Sequence, residues 1–165
     1  MVGYDHVMRT IYIETTVVSY YTARPSRDLV TAARQEATRE LWPRLLNEFG
    51  THISAVVYDE ASRGDAQESS KRLSATEPFE LLDVNQEART LARALLEGKA
   101  VPEEHPEDAL HVAVAAVNGM DVLLTWNFAH INNPFTRLMV RQIIENAGYR
   151  CPEICSPDEL LEAKS

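Results

Sequence analysis

Residues 9–20 read RTIYIETTVVSY, and this stretch decides the fold. Thr10, Ile11, Tyr12 and Ile13 are β-branched or aromatic, the residue types that suit a pleated strand. A strand this apolar fits a position buried on both faces, at the centre of a parallel sheet. Glu14 stands at its C-terminal end, followed by two threonines able to bond backbone groups as the chain turns into a helix over VVSYYTA. In open α/β sheets the polar work is done at the carboxyl ends of the strands. A carboxylate set there inside an apolar run is costly unless something positive meets it.

Working outward, strands and helices alternate. Ser26 is the expected N-cap of a long helix over residues 27–49, which Pro43 should kink or split. A short strand follows at 51–55, then a helix at 56–63 that carries Asp59 and Glu60, with Gly64 behind it. A polar helix is expected at 65–76 and a third strand at 79–84. Asn85 should cap a helix over 86–96. After a loop at 98–106, Pro106 sits near the first position of a helix running to Val117, with Glu107 and Asp108 in its first turn, where the helix dipole favours acids. A fourth strand is read at 121–126, a helix at 134–147, an edge strand at 153–155 and a last helix at 157–163. Strands separated by helices imply crossover connections and a mostly parallel sheet of four to five strands. With 165 residues, the expectation is one α/β domain over 1–165.

The bulk composition, 45% apolar and 25% charged, is ordinary for a globular chain. No run reaches the ~18 apolar residues of a membrane helix, and residues 1–10 lack the layout of a secretory signal. Cys151 and Cys155 then read as reduced thiols of a cytoplasmic protein. They are small core or surface residues with no further zinc-type ligands in sequence reach. The net charge of −9 argues against a broad, sequence-independent grip on nucleic acid and is compatible with a site that gathers carboxylates around a cation.

Four residues stand where strands exit or helices begin: Glu14, Glu60, Asp108 and Asn127. Singly each is commonplace, as a surface acid, a solvated helix acid, a first-turn acid and a turn former. In a parallel, doubly wound sheet they face one edge. Three carboxylates and an amide in one place repel without a counter-ion, and oxygen ligands suit a hard cation, Mg²⁺ or Mn²⁺.

The layout YIETT, ISAVVYDEASRG, EDALHVAVA and LLTWNFAHI resembles the PIN-domain ribonucleases, a family that includes the VapC-like toxin halves of type II toxin–antitoxin pairs. Ile53, Ser54, Val57, Glu60 and Gly64 fit the second motif in register. Asp108, Ala109, Ala113 and Ala115 fit the third, and Leu123, Leu124 and Thr125 the fourth. The match runs from about Ile11 to Ile131. Two positions depart from the pattern: the first acid, usually Asp, is Glu14, and the last, usually Asp, is Asn127.

The resemblance implies a three-layer α/β/α PIN-like fold and Mg²⁺- or Mn²⁺-dependent cleavage of single-stranded RNA. Glu14, Glu60 and Asp108 would hold the ion, and Asn127 would bind it or orient the attacking water. Thr15 and Thr125 are candidates to hydrogen-bond a carboxylate or phosphate. His111 and His130 are candidate ligands, proton carriers or structural hydrogen-bonding groups. Arg24 and Arg27 are candidates for the RNA backbone or a solvated helix face. A cognate antitoxin and a homodimer are the implied protein partners. The competing expectations are a PIN-like module that binds RNA or protein without cutting, favoured by Asn127, and a phosphatase-like hydrolase. The latter is disfavoured because Glu14 and Thr16 stand where it needs two acids.

Overall fold

The computed structural model describes residues 8–163. Its elements in order are β1 (Thr10–Ile13), α1 (Thr15–Thr22), α2 (Leu29–Asn47), β2 (Gly50–Ser54), α3 (Ala55–Ala61), α4 (Ala66–Thr76), β3 (Glu80–Leu82), α5 (Gln86–Glu97), α6 (Pro106–Val117), β4 (Val122–Leu124), α7 (Pro134–Asn146), β5 (Glu153–Cys155) and α8 (Pro157–Glu162). The five strands form one sheet in the order β3-β2-β1-β4-β5, and every pairing is parallel.

β1 is the middle strand because its residues tolerate no water on either side. Ile11, Tyr12 and Ile13 are fully buried and pair with Val122, Leu123 and Leu124 of β4. On the other side Thr10, Ile11 and Tyr12 pair with Gly50, Thr51 and His52 of β2. The chain steps outward from β1 to β3, then crosses back to β4 on the far side of β1. Right-handed crossovers therefore place the helices before and after β3 on opposite faces of the sheet. The result is a central all-parallel sheet flanked by helices, a PIN-like α/β fold.

Several boundaries differ from the sequence reading, each for a local reason. Asp28, not Ser26, caps α2: its Oδ2 accepts from Thr31 N at 2.9 Å, while Ser26 Oγ accepts from Asp28 N. α2 is not split at Pro43 but runs through it to Asn47. β3 and β4 shrink to three residues each. α1 begins at Thr15 because Glu14 is itself the N-cap, its side chain accepting from Thr16 N.

The loop after β4 is tied down from two sides. Trp126 Nε1 donates to the buried Thr38 Oγ1 of α2 at 2.9 Å, and Trp126 N donates to Thr16 Oγ1 at 3.0 Å. These bonds hold the ends of β1 and β4 together at the point where the strand order reverses, the usual place for a ligand crevice in open α/β sheets.

Removing side-chain volume from this centre should be costly, and from the edge nearly free. Leu123→Ala, at a fully buried site, is expected to cost ~2–5 kcal/mol. Leu81→Ala on β3, where Leu81 is 60% exposed, should cost less than about 1 kcal/mol. Urea unfolding of the two variants checks the contrast.

Candidate functional site

At the carboxyl edge of the sheet lies an open pocket of about 530 Å³. Glu14, Thr15, Thr16, Glu60, Asp108 and Asn127 line it, together with Arg63, His105, His130, Ser19 and Tyr20. Glu14 arrives at the end of β1, Glu60 from α3, Asp108 from the first turn of α6 and Asn127 from the loop after β4.

Glu14 is the most buried of the acids, 3% exposed. Its Oε1 accepts from the Thr16 hydroxyl at 2.5 Å and the Thr125 hydroxyl at 2.6 Å. Its Oε2 accepts from Thr16 N at 3.1 Å. Among the described residues no Lys or Arg forms a salt bridge with it. Burial pushes its pKa above the ordinary carboxylate value, against the nearby charge of His111 and the threonine donors. Neutral hydroxyls orient this carboxylate but do not neutralise it.

Glu60 and His111 form the second part of the site. His111 is fully buried. Its Nε2 lies 2.5 Å from Glu60 Oε1, and its Nδ1 lies 2.7 Å from the Tyr12 hydroxyl. The hydroxyls of Tyr12 and Ser54 are in turn 2.7 Å apart. Burial alone would lower the His111 pKa, but the Glu60 hydrogen bond and the charges of Glu14, Glu60 and Asp108 raise it. Burial opposes ionisation of Glu60 as well, yet the His111 bond and charge, the Thr15 hydroxyl and Arg63 hold its pKa below normal. The pair is therefore an imidazolium–carboxylate pair. Thr15 Oγ1 completes it, donating to Glu60 Oε1 at 2.7 Å.

Asp108 belongs to a neighbouring group. Its Oδ2 lies 2.9 Å from His130 Nδ1, and the His130 ring stacks on that of His105 with centroids 4.1 Å apart. Asn127 Oδ1 accepts from His130 N at 3.0 Å, and Asn127 N donates to Thr125 Oγ1 at 2.9 Å. The Asn127 side-chain oxygen is thus already engaged in the turn that presents His130.

All four strand-exit residues line the one pocket, but they divide. Glu14, Glu60 and His111 offer ligand atoms within 4.8 Å of one another, and so do His105, Asp108 and His130. The first set, two carboxylates with a buried imidazole behind them, fits a divalent cation by its donor chemistry: an unpaired buried carboxylate lacks the positive charge that such an ion supplies. Arg24 and Arg27 are exposed, and Arg24 Nε points toward Glu68 at 4.0 Å. The arginine lining the pocket is Arg63, paired with Asp59 and Glu107. Sequence reading missed Arg63, His105 and the Tyr12 hydroxyl. The position of His105 directly before Pro106 and three residues ahead of Asp108 was the available signal for that residue.

No protein-family model and no curated protein matches the chain. Among solved structures, one similar chain belongs to the crystal structure of VapBC2 from Rickettsia felis bound to a DNA fragment from their promoter. The likeness covers 89% of this chain and 98% of that one, at 14% identity and a TM-score of 0.58. At that identity it establishes a shared fold.

The raised Glu14 pKa makes a signed prediction. A group that holds its proton more tightly when folded gives stability at low pH that is lost as pH rises through its folded pKa. In chelator, the melting temperature of the wild type minus that of Glu14→Gln should therefore fall as pH rises above the usual carboxylate range. Each kcal/mol corresponds to about 2–4 °C. Mn²⁺ should recover the lost stability in the wild type and do little in the variant. A difference that grows with pH in chelator would show that the folded protein prefers Glu14 ionised.

Proposed function

We propose that this chain is a Mg²⁺- or Mn²⁺-dependent endoribonuclease of PIN-like fold, a VapC-like toxin that cuts single-stranded RNA. The observation that carries the reading is the buried Glu14 carboxylate, which shares a pocket with Glu60 and Asp108 and is met only by neutral donors and a neighbouring imidazolium. Glu14, Glu60 and Asp108 would hold the ion. When bound, the ion supplies an activated water and stabilises charge on a phosphate oxygen.

The chain's own groups have separate tasks. Thr16 and Thr125 aim Glu14, and Thr15 aims Glu60. His111 compensates one of the carboxylate charges from inside the core and is fixed by Tyr12. Asn127 Oδ1 accepts from His130 N, which leaves it one lone pair and both amide hydrogens to face a water or a phosphate oxygen; we assign it that orienting role. Arg63 is the cation at the rim for the RNA backbone. With the net charge of −9, RNA recognition rests on such local contacts, not on a basic face.

The residues 1–165 would act as one domain in the cytoplasm, as a homodimer held by a cognate antitoxin. The similarity to a VapBC2 chain supports the toxin–antitoxin setting. Exposed apolar residues on α7, Phe135 and Leu138, and on α2, Leu29 and Val30, offer surface for such contacts. No helix among the described residues is long and apolar enough to cross a membrane. A second reading, a module that binds RNA or protein without cutting, draws on Asn127.

Asp108→Asn should reduce Mn²⁺-dependent cleavage of an RNA oligomer by ~100-fold or more, the scale on which a charge-stabilising group acts. Its melting temperature should stay within about 3 °C of the parent. A variant that cuts as fast as the parent would remove Asp108 from the mechanism. No calorimetric heat with millimolar Mg²⁺ or Mn²⁺ on the parent would favour the binding module.

A further inference from the structure

Beside the two glutamates, the pocket carries a second set of donors with different chemistry. His105 sits at the N-cap of α6 and makes no side-chain capping bond. Among the described residues neither of its ring nitrogens has a hydrogen-bond partner. His130 comes from the opposite loop, and the two rings stack at 4.1 Å and 25°. An ionised carboxylate only accepts, so His130 Nδ1 must donate to Asp108 Oδ2. That bond fixes the ring and leaves its Nε2 without a protein partner. A carboxylate backing an imidazole whose other nitrogen is free is the usual arrangement around a metal-binding histidine.

We propose that His105 and His130, with Asp108 supplying the negative charge, form a second cation position that takes a borderline divalent transition ion such as Zn²⁺ or Co²⁺. Imidazole nitrogens suit these ions, whereas Mg²⁺ demands oxygen. Donor atoms of the three residues lie within 4.8 Å of one another. A tetrahedral ion about 2.1 Å from two nitrogens holds them roughly 3.4 Å apart. His105 is exposed, and its ring must turn out of the stack with His130 for both nitrogens to meet one ion. Both loops are fixed at the backbone: His105 N donates to Pro102 O at 3.0 Å, and His130 N to Asn127 Oδ1 at 3.0 Å. The positive end of α6 opposes a cation here, and Glu107 and Asp108 in its first turn offset that field. Water fills the rest of the shell and faces the pocket.

The position shares Asp108 with the proposed nuclease site but adds the two imidazoles, and its test reads binding directly. The full-length chain, stripped with chelator, is titrated with Co²⁺ and followed by visible absorption, with Zn²⁺ competition and ion counting after dialysis. The wild type should bind Co²⁺ with a d–d band that Zn²⁺ removes. His105→Ala should lose affinity by about 10–100-fold and lose the band, while Mn²⁺ bound at the glutamates, followed by electron paramagnetic resonance, stays within about twofold of the parent. His130→Ala should lose the Co²⁺ band in the same way. Glu14→Gln should keep the Co²⁺ band while weakening Mn²⁺. A His105→Ala variant with unchanged Co²⁺ affinity and spectrum overturns the proposal. An unchanged Mn²⁺ affinity in Glu14→Gln instead counts against the glutamate position and leaves this one standing.

Discussion

Three hydrogen bonds hold the Glu14 carboxylate at the end of the central strand, and none of them comes from a permanent cation. Most of the local architecture follows from that constraint. Thr16, in the first turn of α1, also receives the backbone N–H of Trp126; Thr125, directly after β4, also receives Asn127 N. The two threonines therefore do double duty, orienting a buried acid and stitching β1 to β4 at the crevice between them. A carboxylate so placed stays charged only when positive charge is near, and the fold supplies one such group, the His111 imidazolium, already engaged by Glu60.

The His111 network links the crevice to the core. Tyr12, fully buried on β1, bridges Ser54 at the end of β2 and His111 on α6. Glu60 then reaches His111 from α3. One chain of hydrogen bonds thus crosses four elements, β2, β1, α6 and α3, and sets the position of Glu60 relative to the sheet. A shift in α6 would move His111 and Asp108 together, so the geometry of the proposed ion site and the packing of this helix are tied to one element.

The centre of the fold was legible in sequence because Ile11, Tyr12 and Ile13 form an unbroken apolar and aromatic run, which suits a middle strand. The helices after β3 were legible from their caps: Asn85 does accept from Ala88 N, and Pro106 does open α6. The edges were less so. Residues 79–84 look like a six-residue strand, yet β3 pairs on one side only and its middle residues face water. At the start of α2, Ser26 and Asp28 are both good caps, and sequence cannot rank two polar residues that bond each other. In the pocket, spacing at strand exits brought Glu14, Glu60, Asp108 and Asn127 to attention. The contacts that set their character, Tyr12 to His111 across 99 residues and Thr125 to Glu14 across 111, are tertiary and left no local pattern. Arg24 and Arg27 were the arginines read as candidates for the RNA backbone, but Arg63, just past α3 beside the acids, is the one the fold brings to the rim.

The proposed activity depends on a divalent ion meeting the acids at the carboxyl edge of the sheet. Crystals of the chain soaked in Mn²⁺ and measured at the manganese absorption edge test this most directly. An anomalous peak is expected inside the pocket, within bonding distance of the Glu14 carboxylate and of Glu60 or Asp108. Peaks confined to exposed carboxylates such as Glu97 or Glu162, with none near Glu14, would contradict it.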